Sequence, residues 1–158
     1  MSLTYDTDGF PTYYSKAPVL ILRDPLAAFL GASESGLITY RYLDAVKLAG
    51  HSCPTVAGAY LMVCCGLKAL YGGDIPERGG IEVQMQGARD EGTTGVIAAV
   101  ATLLTGAAAE TGFGGIGPAA RFARRRIAPL ADTLAQGAAN LERTARQIAA
   151  VWQLGRRG

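Results

Sequence analysis

His51 is the only histidine of the chain, and it lies two residues before Cys53, one of three cysteines. Imidazole and thiolate are donors that zinc and similar borderline metals accept, and the same two groups can act as base and nucleophile. Pro54 follows the cysteine and opens an apolar run, Val56-Ala57-Gly58-Ala59-Tyr60-Leu61-Met62-Val63. Proline has a fixed φ and no N–H, which suits the first turn of a helix, and it pushes the residue before it into extended geometry. Cys53 is therefore expected at the N-cap of a helix running from about Pro54 to Ala69. Free N–H groups and the positive end of the helix dipole would then face its sulfur and favour the thiolate. The plain alternative is a small buried cysteine beside an ordinary loop histidine. Cys64 and Cys65 stand eleven and twelve residues further on, about 17 Å along a continuous helix. They cannot share a metal with Cys53, and core packing is the role expected of them. Adjacent cysteines do not form a relaxed disulfide with each other.

A second group of residues suits anion chemistry. Thr111-Gly112-Phe113-Gly114-Gly115-Ile116-Gly117 is too glycine-rich for a regular element, and such a loop can wrap an anion with backbone N–H groups. It lacks the Gly-Lys-Ser/Thr of a P-loop and is not placed as in a dinucleotide fingerprint. Arg121, Arg124, Arg125 and Arg126 follow it, either as a solvated face or as partners for a carboxylate or phosphate. Asp90, Glu91 and Glu110 are carboxylates on neighbouring loops that could complete a metal site at His51 and Cys53. With Thr94, Gly112, Gly114 and Gly115 they make up the expected ligand-binding set.

Ala49-Gly50-His51-Ser52-Cys53-Pro54, followed by Gly58, resembles the signature of the FmdE family, named for one of the subunits of formylmethanofuran dehydrogenase. Leu103-Leu104-Thr105-Gly106, leading into the glycine-rich loop, is a looser echo of that family's second motif. The resemblance spans roughly residues 37–125. It implies an α+β core with helices over one face of a mostly antiparallel sheet, a homodimer, and a metal near the His-x-Cys stretch. Carried over by position, the metal ligands are His51 and Cys53, with Pro54 and Gly58 shaping the helix start. Ala49 stands where the family has a first histidine and Thr55 where it has a glycine. Val96, Ala99 and Ala107 fall where its second motif has two cysteines and an aspartate. The family's later strands have no counterpart after Arg126.

The elements that must position these residues follow from composition and periodicity. The chain has 158 residues, 49% of them hydrophobic and 18% charged, which is one globular domain with a sizeable core. A formal net charge of +2 gives no argument for nucleic acid. No basic segment precedes an apolar leader, and the longest apolar run, residues 95–109, is shorter than a membrane span. Three cysteines make a poor disulfide framework, so a cytoplasmic, reduced protein is expected.

Val19-Leu20-Ile21 reads as a short strand. Asp24 and Pro25 start a short helix, Leu26 to Leu30, that Gly31 ends. Leu37 to Tyr42 reads as a strand, and Leu43 to Leu48 as one or two helical turns with Ala45 and Leu48 inward. Ile81 to Gln86 alternates strictly and is the clearest strand, with Ile81, Val83 and Met85 inward. Thr93 or Thr94 caps a small-residue helix from Gly95 to Leu104, expected to pack on the helix after Cys53. Leu130, Leu134, Ala138, Leu141, Ala145, Ile148 and Trp152 recur at helical spacing, so a long amphipathic helix is expected from Pro129 to Gln153 with a basic tail.

Together these readings give an α+β core over residues 1–126 and a C-terminal amphipathic helix and tail over 127–158, packed on the core or on a second copy. The expected function is metal binding, zinc first, at His51 and Cys53 in a homodimer. A non-enzymatic accessory or anion-binding module built on the Gly112–Gly117 loop and its arginines is the alternative. A thiol nucleophile with His51 as base ranks third. Neither nucleic acid nor membrane is an expected partner.

Overall fold

The computed structural model describes residues 4–88 and 90–129. After a single 3₁₀ turn at Thr12–Lys16 come β1 (Leu20–Arg23), α1 (Pro25–Phe29), β2 (Leu37–Tyr40), α2 (Tyr42–Ala49), α3 (Pro54–Tyr71), β3 (Val83–Met85), α4 (Thr94–Thr105) and β4 (Ile127–Pro129). The fold is α+β. Its strands form two ribbons rather than one sheet: β1 pairs antiparallel with β2, and β3 pairs parallel with β4. The parallel pair brings the chain back across more than forty intervening residues, with Val83 opposite Ile127. Ile127 is buried and its strand pairs with β3, although the sequence pattern groups residues 127–129 with the C-terminal segment. The helix expected from Pro129 to Gln153 and the basic tail lie outside the described residues.

α1 starts where the Asp-Pro step demands. The Asp24 carboxylate accepts hydrogen bonds from the N–H groups of Leu26 and Ala27, satisfying two donors that the first turn leaves open. α3 and α4 pack against each other, and α2 packs across both. Ala59 and Ala101 are buried and allow close approach of the helices, whereas a Cβ at Gly58 would meet open space. Tyr42, Ala45 and Val46 form the buried face of α2 at positions i, i+3 and i+4. Leu48, expected inward, is off that stripe and 49% exposed.

The main core joins this face to Val56, Ala59, Tyr60 and Cys64 of α3 and to Val100 and Leu104 of α4. A smaller cluster of Leu22, Leu67 and Ile81 ties the first ribbon to the far end of α3. Tyr60 is fully buried and its hydroxyl donates to the carbonyl of Pro18, which fastens the N-terminal segment to α3. By length and composition α3 is apolar enough to cross a membrane. In this fold it is the helix around which the core is built.

Candidate functional site

Three local features present His51 and Cys53. Gly50 ends α2 in the left-handed conformation, φ 74°, a geometry that costs a residue with a Cβ but not glycine. The turn that follows places His51 Nδ1 2.9 Å from the carbonyl oxygen of Ala49. A carbonyl only accepts, so Nδ1 carries the proton and Nε2 of the neutral ring keeps its lone pair. Ser52 is anchored by a 2.7 Å hydrogen bond between its hydroxyl and that of Tyr42. Cys53 is extended (φ −146°, ψ 170°), Pro54 opens α3, and the carbonyl of Cys53 accepts the first helical bond from the N–H of Ala57 at 3.0 Å.

The electrostatics of the pair follow from this placement. The Cys53 sulfur makes no full-geometry capping bond to the helix. The N–H of Val56 nevertheless lies close enough to hold its pKa below the usual thiol range, helped by the His51 imidazole and the N–H of Thr55, and opposed by partial burial. The His51 pKa is raised, first by the Ala49 carbonyl and then by the Cys53 sulfur. Each group therefore favours the charged form of the other. His51 is exposed and Cys53 half-buried, so a ligand can reach both.

Cys64 is buried in the main core, where desolvation pushes its thiol pKa up. Cys65, expected in the core beside it, is exposed, because adjacent positions on a helix face different ways. All three cysteines are free.

The other predicted ligands lie elsewhere. Among the described residues no third histidine, cysteine, aspartate or glutamate joins His51 and Cys53 in a cluster that could hold a metal ion. Glu91 folds onto its own turn, accepting from the N–H of Ala88 at 3.1 Å. Glu91 and Thr94 line an open groove of about 960 Å³ bounded by α3, α4 and β3, with Met62, Leu70 and Val83 among its apolar walls. Asp90 and Glu110 are exposed on turns.

The glycine loop closes on its own chain. A Cβ at Gly115 would collide with the backbone of Ala120, and one at Gly112 with the side chain of Ala108. The carbonyl of Gly112 accepts from Arg125 Nε at 2.8 Å. Ile116 and Arg121 exchange backbone hydrogen bonds at 2.8 and 3.1 Å. Gly112 and Gly115 are thus crowded by their own chain, whereas Gly114 is exposed and has the Arg125 guanidinium as its nearest neighbour.

Arg124 does not belong to an exposed basic run. It is buried, and its Nη2 donates to Asp24 Oδ1, while Arg78 Nη1 donates to Asp24 Oδ2 at 2.7 Å. Arg78 Nη2 donates to the carbonyl of Leu103 at 3.0 Å, and its guanidinium lies 5.5 Å from the centre of the Tyr40 ring. Asp24 is 3% exposed. Burial pushes its pKa up, but hydrogen bonds from Arg78, the N–H of Ala27 and Arg124 outweigh this and hold it below the ordinary carboxylate range. The sequence shows Asp24 as a helix cap and Arg124 as one of four nearby arginines. No local signal connects them across 100 positions.

No family model matches the chain, and neither a curated protein nor a solved structure matches it at a significant level.

Proposed function

We propose that the chain acts through His51 and Cys53 as an open site for a borderline divalent metal, with zinc the first choice. The observation that carries this reading is the hydrogen bond from His51 Nδ1–H to the Ala49 carbonyl. A backbone acceptor on one ring nitrogen fixes the tautomer and raises the donor strength of the other, which is how metal-binding histidines are commonly prepared. The neighbouring thiol is biased toward thiolate, the form that binds metal. Two donors do not make a closed zinc centre, which takes four protein ligands, or a catalytic one, which takes three. The described residues therefore supply half a site, and water, a bound small molecule or a second copy of the chain supplies the rest. The family resemblance supports the same two ligands, and a homodimer with a shared site at this loop is the assembly that suits it. A reducing, cytoplasmic setting suits the three free thiols.

The mutual bias of the two groups also favours a second reading, in which Cys53 is a nucleophile paired with an imidazolium. Metal content and thiol alkylation separate the two. In the metal reading the purified chain holds zinc in proportion to chains, loses it in both Cys53→Ser and His51→Ala, and protects Cys53 from iodoacetamide when zinc is restored. An unchanged alkylation rate in saturating zinc would exclude the metal reading and leave the nucleophile.

A further inference from the structure

Asp24, Arg78 and Arg124 form a buried centre with two guanidinium groups on one carboxylate. Both Asp24 oxygens are already engaged, one by each arginine. Arg78 Nε and Arg124 Nη1 are nonetheless buried with no hydrogen-bond partner among the described residues. Donors on a charged group are costly to bury unpaired, and a carboxylate with both oxygens used cannot serve them. The same two arginines line two separate cavities, one of about 460 Å³ toward Leu26 and Phe113 and one of about 350 Å³ toward Gly80 and Ala123. Exposed Arg126 and Glu77 line the second cavity as well. Three guanidinium groups thus meet two carboxylates, leaving one positive charge in excess. Backbone gives way to the guanidinium of Arg124: a Cβ at Gly79 would overlap its Nη1, and one at Gly106 would stand 2.9 Å away.

The structure assigns to Arg78 and Arg124 a binding site for a small oxyanion, a carboxylate or a phosphate, entering from the cavity beside Gly80 and taking the guanidinium donors that Asp24 leaves over. Oxyanions match the planar donor edge of arginine with two parallel hydrogen bonds and would balance the excess charge. The ligand class is the one expected of the glycine loop and the arginines after it, but of those residues only Arg124 takes part as a donor, and the inference does not rest on the reading of His51 and Cys53.

The test uses the full chain labelled with ¹⁵N and titrated with sodium phosphate, and separately with sodium acetate, at ionic strength held constant with sodium chloride. The Nε–H resonances of Arg78 and Arg124 should shift together along a saturating curve, while those of exposed Arg121 and Arg125 stay near their starting positions. Saturation with phosphate alone assigns a phosphate-type ligand, with acetate alone a carboxylate, and with both a general oxyanion site. Asp24→Asn removes the competing carboxylate and should tighten binding about tenfold, a gain that a purely structural triad would not show. The wild-type titration stands if that variant does not fold. Linear shifts of all arginines alike, no shift of Arg78 or Arg124, or unchanged affinity in folded Asp24→Asn would each overturn the assignment.

Discussion

The His51–Cys53 turn and the Asp24–Arg78–Arg124 centre use charge in opposite ways. The first lies between α2 and α3, assembled from neighbours in sequence and open to solvent, and it is shaped by a left-handed glycine and a proline. The second is buried, and it draws residues from the start of α1, from the loop before β3 and from the segment before β4. An exposed pair is screened by water, so its partners tune protonation and reactivity while adding little to stability. A buried triad is barely screened, and removing one member strands the others in a medium that cannot solvate them. The first region can be altered at little cost to the fold. The second fastens three segments of the fold to one another, and any ligand it takes must be matched to charges already in place.

The largest effect that sharpens this contrast is expected at Asp24. Asp24→Ala leaves two buried guanidinium groups without their carboxylate and strips α1 of its cap, and should cost about 3–5 kcal/mol in urea unfolding. A loss below about 1 kcal/mol would show that the triad adds little and would break the comparison. The pH dependence has a definite sign. The folded pKa of Asp24 is lowered, so its contribution is complete above the ordinary aspartate value of about 3.9 and is lost as pH falls through the lower folded value. The urea midpoint should fall steeply below about pH 4 in the wild type, and less steeply in Asp24→Asn.

Gly79→Ala is expected to rank next. Its added methyl would meet the Arg124 guanidinium, and its φ of +89° is one that alanine adopts only under strain. A cost of about 2 kcal/mol or more is expected in the same assay. Gly72→Ala is a useful control: it also has positive φ, +60°, but a Cβ there meets nothing within 4 Å. Equal losses at the two positions would assign the whole effect to backbone strain and none to the guanidinium.

What is legible in the sequence follows the same division. Asp24-Pro25, Cys53-Pro54 and the change of periodicity near Thr94 each mark a helix start through residues next to it, and α1, α3 and α4 begin there. The loop holding His51 and Cys53 is readable for the same reason. β4 is not, because Ile127-Ala128-Pro129 has no alternation and is made a strand by pairing with a segment over forty residues earlier. Apolar character alone points Cys65 and Leu48 inward, but the helix faces set by Cys64 and by Tyr42 with Val46 decide otherwise. The glycine loop reads as a cradle because sequence shows absent side chains but not what fills the space they leave. Here Ala108 stands beside Gly112, Ala120 beside Gly115 and the Arg125 guanidinium beside the exposed Gly114.

The smallest effect on stability, and the most specific on chemistry, is expected at the exposed pair. Cys53→Ser and His51→Ala should each change the urea midpoint by no more than a surface substitution does, about 0.5 kcal/mol. Cys53 reactivity should respond clearly. In the wild type the rate of alkylation should rise with pH through a midpoint below that of a free thiol, because Val56 N–H and His51 both favour the thiolate. His51→Ala removes one of these and leaves the helix N–H groups in place, so the midpoint should move up part of the way and the rate at neutral pH should fall severalfold. Cys65 is the internal reference, exposed on the same helix and without a histidine beside it in sequence, and its rate should be the same in both proteins. If the alkylation midpoint of Cys53 in the wild type is that of a free thiol, the imidazole and the helix start are not acting on the sulfur, and the turn between α2 and α3 is only a connection. If Cys53 titrates low and His51→Ala leaves it unmoved, the helix terminus alone sets the thiolate, and His51 is then free to serve a ligand rather than the thiol.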